Sequence, residues 1–123
     1  MTSHLHSIAI FVTELERARA FYEDGLGMTL AAKGSFGFQF GEQPPYLGVH
    51  PAAHAAAKAM VGRETGVTLR VRDLVGLRAD LAARDIAFLT EPVQQGFGMM
   101  AMVADPDGNV LALWEDNVTE ADD

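Results

Sequence analysis

Four histidines, one tryptophan and no cysteine set the chemistry open to this chain of 123 residues. Without cysteine there is no thiol nucleophile, no thiolate metal site and no disulfide framework. His50 has the most suggestive surroundings. It shares one face of an alternating segment with Tyr46, and such a pair can exchange a proton. Alternation elsewhere gathers Ser7, Ala9 and Phe11, then Gly66, Thr68 and Arg70, then Val110, Ala112 and Trp114. Phe11, Tyr46 and Trp114 offer flat apolar surface, while Arg70 and His50 offer polar contacts. A guanidinium on such a face needs an anionic or hydrogen-bonding partner, and no carboxylate shares that face in this reading. Either a ligand or water satisfies Arg70, or it lies at a solvated rim.

The elements that carry these residues recur. Ser7–Leu15 aligns with Gly66–Leu74 at constant offset. Val12/Val71, Leu15/Leu74, Arg19/Arg78 and Ala20/Ala79 are identical across it. A repeat of this size is a supersecondary unit that needs its partner to bury its apolar face. The first copy reads as a strand over 7–13 and a helix opened by a Thr13–Glu16 capping box and closed by Gly25 and Gly27. Strands near 28–33, 35–41 and 45–50 follow, the last after Pro44-Pro45. The second copy reads as a strand over 66–72, a helix capped by Asp73, and strands near 86–90, 97–104 and 109–115. Each module is therefore βαβββ. The chain divides into module one (about 5–50), an alanine-rich connector (51–65) with a short helix, module two (about 66–115) and an acidic tail (116–123). Together they make a single domain over 1–123.

Two stretches carry a family signature. Ile8-Ala9-Ile10-Phe11-Val12-Thr13-Glu14-Leu15, running into Ala20-Phe21-Tyr22 and Leu26-Gly27, resembles the opening of a vicinal oxygen chelate module. Asp105-Pro106-Asp107-Gly108-Asn109-Val110-Leu111 resembles its closing motif, and Val71-Arg72-Asp73-Leu74 the start of its second module. This is the glyoxalase, bleomycin-resistance and extradiol-dioxygenase superfamily, and the resemblance covers residues 5–115. It implies an α+β fold of two βαβββ modules in one chain. These form an open, cup-shaped mixed sheet with helices outside and the ligand inside.

Metal-dependent members of that family place a histidine at the head of each module's first strand and a glutamate in each module's last. The corresponding positions here are Ser7, Gly66, Gly48 and Ala112. Glycine and alanine have no ligating side chain, and serine is a poor ligand for divalent metals. The expectation is therefore no metal and no cofactor. His6 stands one residue from a ligand position, which in a strand points it to the opposite face. His4 lies near the terminus and His54 in the connector, where an exposed histidine is ordinary.

The small ligand positions, ringed by Phe11, Tyr46, His50, Arg70 and Trp114, suit a flat, largely apolar guest. The competing use of space is ordinary packing by Phe36, Phe38, Phe40, Phe97, Met99, Met100 and Met102. Gly96-Phe97-Gly98 reads either as a hinge for a flap or as a plain loop. A metal-free protein that binds a small aromatic molecule is favoured over a lyase, isomerase or dioxygenase. A dimeric scaffold without a ligand is a third reading. The net charge of −8 opposes binding to nucleic acid or anionic membranes. No stretch is long and apolar enough to span a bilayer and no signal peptide is evident, so a cytoplasmic protein is expected. The family resemblance implies a homodimer.

Overall fold

The computed structural model describes residues 2–117. The chain runs through β1 (Ser7–Val12), α1 (Leu15–Arg19) with its π-helical continuation (Ala20–Gly25), β2 (Leu30–Gly34), β3 (Gly37–Phe40) and β4 (Tyr46–Pro51). A short α2 (Ala55–Lys58) leads to β5 (Glu64–Arg70), α3 (Leu74–Ala82), β6 (Val93–Gln95), β7 (Gly98–Ala104) and β8 (Val110–Asp116). The strands form two open, four-stranded sheets, ordered β1-β4-β3-β2 and β5-β8-β7-β6. The repeated βαβββ order is thus present, in an α+β fold. No helix among the described residues is long and apolar enough to cross a membrane.

Two compact units result. The first holds the described residues up to Thr65 together with Asp105–Asn109, and the second holds Gly66–Ala104 and the residues from Val110 on. In the first unit, alternation buries Ile10, Val12, Phe38, Phe40, Leu47 and Val49 together with Ala18, Phe21 and Tyr22 of the helix. Tyr22 packs against Phe40 at 5.9 Å between ring centroids, and Arg19 lies 5.5 Å over Phe38. Phe38 and Phe40 therefore belong to the helix-covered face and leave the other face of this sheet open. In the second unit Val67, Leu74, Leu81, Ala101, Val103, Leu111 and Leu113 form the core.

The Asp105–Asn109 turn does more than reverse the chain. The buried Asp105 carboxylate accepts from the Tyr22 hydroxyl at 2.7 Å, from Asn109 Nδ2 at 2.9 Å and from the backbone of Asp107 and Asn109. Asn109 Nδ2 also donates to the Phe11 carbonyl, and Asn109 Oδ1 accepts from Gly62 N–H. Burial first, then the Asp105 and Asp107 carboxylates, push the Tyr22 phenol far above the ordinary tyrosine range.

Three local expectations are corrected. Thr13 does not cap α1: Glu14 occupies the cap position, and the Thr13 hydroxyl and N–H both donate to Asp107. Ile86–Thr90 is not a strand: it meets β7 through a single Phe88–Val103 bridge and a bond from the Leu89 N–H to the Met102 carbonyl. There the Thr90 hydroxyl takes the Met102 N–H, and Pro92 has no donor, so regular pairing starts at Val93. The acidic tail expected from 116 on starts inside a strand: Asp116 ends β8, whereas Glu120, Asp122 and Asp123 lie outside the described residues.

Candidate functional site

The open face of the first sheet is set by register. β1 and β4 pair in parallel, placing Ser7 opposite Tyr46, Ala9 opposite Gly48 and Phe11 opposite His50. β3 adds Gln39 opposite Gly48. Neighbours at odd and even positions point to opposite faces. The residues facing away from the helix are thus Ser7, Ala9, Phe11, Tyr46, Gly48, His50 and Gln39. Phe11, Tyr46, His50 and Gln39 are each half-buried, as expected of an apolar surface that is not core.

His50 is held in one orientation. Its Nδ1 lies 2.7 Å from the Phe36 carbonyl oxygen. A carbonyl only accepts, so Nδ1 carries the proton and Nε2 keeps its lone pair in the neutral ring. The imidazole leans back over Gly48, where a Cβ would stand 2.6 Å from Nε2. The family's first-module carboxylate position is therefore not open: it is the floor on which His50 lies. Phe36 folds over Gly34 in the same way, and both Phe11 and Phe36 flank the imidazole, with centroids 6.0 and 6.4 Å away. Alternation over 35–41 puts Phe36 on one face with Phe38 and Phe40, with ordinary packing as the competing reading of that group. Phe36 lies instead in the β2–β3 turn, 45% exposed, outside the strand that its two neighbours share.

Tyr46 and His50 are not joined. Tyr46 meets the His6 ring edge-on at 5.6 Å, and His6 Nδ1 lies 3.1 Å from Ser7 Oγ. His6 precedes the first residue of β1, its carbonyl accepts the Tyr46 N–H, and its ring meets Tyr46. His54 caps α2, its Nδ1 accepting from Ala57 N–H.

The open face of the second sheet is built differently. β7 and β8 place Met102 opposite Ala112, Met100 opposite Trp114 and Gly98 opposite Asp116. The Trp114 indole lies across Gly98, where a Cβ would fall within 2.4 Å of the ring. Its Nε1–H donates to Asp116 Oδ1 at 2.8 Å. Arg70 Nε bonds the other oxygen at 2.7 Å. The expectation that no carboxylate faces Arg70 is thus corrected. β8 runs one residue beyond the predicted strand, and Asp116 has the parity of Trp114 and Ala112. The Arg70 side chain is 78% exposed, so the pair contributes little stability. A concavity of about 380 Å³ lies beside it, lined by Arg70, Val71, Arg72, Glu115 and Asp116.

The metal positions of the resembled family do not fit a metal here. Ser7 and Gly66 are exposed, Ala112 is half-buried opposite Met102, and Gly48 lies beneath His50. Gly66 also has φ +74°, a left-handed conformation that a histidine rarely adopts. Among the described residues no cluster of three or more His, Asp or Glu side chains could hold an ion.

Comparison with known proteins places these faces in context. The profile described as Glyoxalase/Bleomycin resistance protein/Dioxygenase superfamily matches residues 4–113. The Bacillus subtilis (strain 168) protein YetH, which is uncharacterized, is 23% identical, covering 94% of this chain and all of YetH. Among solved structures, a member of that superfamily from Sphaerobacter thermophilus DSM 20745 superposes with a TM-score of 0.77 at 23% identity, covering 94% of this chain and 98% of its own. TnmS3, an antibiotic binding protein from Streptomyces sp. CB03234, superposes at 0.75 with 28% identity and the same coverage.

Proposed function

The chain belongs to the Glyoxalase/Bleomycin resistance protein/Dioxygenase superfamily, and from that premise we propose that it binds a small, largely aromatic molecule without a metal. The observation that carries this reading is the open face of the first sheet. There the Phe11 and Phe36 rings both lie near His50, beside Ala9 and Gly48, while the core of the same unit packs on the opposite face. An apolar surface of this kind gains about 25 cal/mol per Å² that a flat guest covers. Arg70, Trp114 and Ala112 offer a second open face with polar groups at its edge.

Metal independence is supported by the donor set and by geometry. Restoring a histidine at position 66 meets a left-handed backbone, and a glutamate at position 48 meets the His50 ring. The antibiotic binding of TnmS3 at 28% identity favours sequestration over turnover. Among the described residues Tyr46 and His50 share no hydrogen bond, which weighs against an acid–base pair.

Equilibrium dialysis of the purified protein against naphthalene-class aromatics tests the proposal, with elemental analysis of the same preparation. Saturable binding at micromolar concentration and no stoichiometric Zn, Fe, Mn or Ni is the expected result. Failure of every aromatic probe to bind at its solubility limit would sink the reading.

A further inference from the structure

We propose that His50 selects the ligand: its Nε2 accepts a hydrogen bond from a donor on the aromatic guest, such as a phenolic hydroxyl or an aryl N–H. This rests on the aromatic-binding reading above and adds to it the class of polar group the guest must carry. Three observations converge. The Nδ1 proton is committed to the Phe36 carbonyl, which leaves Nε2 as an acceptor. Gly48 lets the ring lie down over the sheet, so Nε2 overlies a position where most strands carry a side chain. Nε2 has no hydrogen-bond partner among the described residues, and the Phe11 and Phe36 rings lie 6.0 and 6.4 Å from the imidazole between centroids.

An acceptor set among rings discriminates by what it loses. A guest that covers it without donating strips its water and leaves it unpaired, whereas a guest with a donor replaces that water. The other polar groups on this face are the Gln39 amide, the Tyr46 hydroxyl and Ser7 Oγ. Each of them can donate. Among these described groups only the neutral His50 ring, with its one proton held by the Phe36 carbonyl, is confined to accepting. Donor-bearing aromatics are therefore preferred over acceptor-only aromatics of the same shape.

The test compares 2-naphthol with 2-methoxynaphthalene by equilibrium dialysis on the wild-type chain and two variants. 2-Naphthol should bind about tenfold more tightly to the wild type, the ratio expected when one buried acceptor is left unpaired. His50→Phe keeps a ring but removes the acceptor. Gly48→Ala keeps the imidazole but places a Cβ where Nε2 lies, turning the ring away. In both, the ratio between the two probes should fall to within about twofold, whatever the absolute affinities. Equal binding of both probes by the wild type, or a ratio that survives in either variant, overturns the inference and leaves aromatic binding standing. Absence of binding by both probes overturns aromatic binding and this inference with it.

Discussion

Tyr22 and Asn109 bear on stability rather than on the open faces. Tyr22 is fully buried, and its hydroxyl supplies one of the bonds that hold the Asp105 carboxylate. Tyr22→Phe should cost about 1.5–3 kcal/mol in urea unfolding, the range for a hydrogen bond to a charged group. Asn109→Ala leaves the Phe11 carbonyl, Gly62 N–H and Asp105 each short of a partner, and should cost about 3 kcal/mol. The pH dependence has a definite sign. The Tyr22 phenol holds its proton to higher pH when folded than when unfolded. Its contribution is therefore intact below about pH 10 and falls as pH rises beyond it. Unfolding free energies at pH 8 and pH 11 should show that decline shrink in Tyr22→Phe. An equal decline in both proteins would refute the assignment.

At the level of elements, two features are exposed to direct test. α3 begins with two carboxylates on its free N–H groups: Asp73 accepts from Gly76, and Glu115 of β8 accepts from Leu74 at 2.6 Å. Asp73→Ala should cost about 1 kcal/mol, as for other lost caps. β7 is shaped by Gly98, which lies under the Trp114 ring. Gly98→Ala should displace that indole and shift its emission, and an unchanged spectrum would show that the ring does not lie there. Trp114 is the only tryptophan, so the signal is unambiguous. β5 carries the last test of metal independence. A variant with Ser7→His, Gly48→Glu, Gly66→His and Ala112→Glu restores all four family ligands, yet Gly66→His alone should cost about 1–2 kcal/mol through its left-handed backbone. Weak or absent zinc uptake by dialysis is the expected outcome.

For the whole molecule, a homodimer is the expectation. The second unit leaves Val75, Leu89, Val93 and Phe97 exposed, an apolar excess that association would cover. Light scattering at micromolar concentration should return twice the chain mass, and a monomer would remove the dimer from consideration.

Sequence by itself determined the repeated βαβββ order, the Asp73 cap, the face shared by Phe11, Tyr46 and His50, and the family. These follow from residue spacing, turn residues and strand parity, all of which are local. It failed at the strand ends, at His6, whose ring meets Tyr46, and at Asp116 one residue past the predicted strand, and where Pro92 interrupts pairing. Only the tertiary structure decided that Thr13 serves Asp107, 94 residues away, rather than its own helix. The same holds for the bond from Tyr22 to Asp105 and for the orientation of His50. Each depends on a partner brought near by folding: a carboxylate 83 residues on, or a carbonyl in the β2–β3 turn. Spacing along a chain says which face a side chain occupies. Which hydrogen bond it makes there is settled by the groups that folding sets within reach.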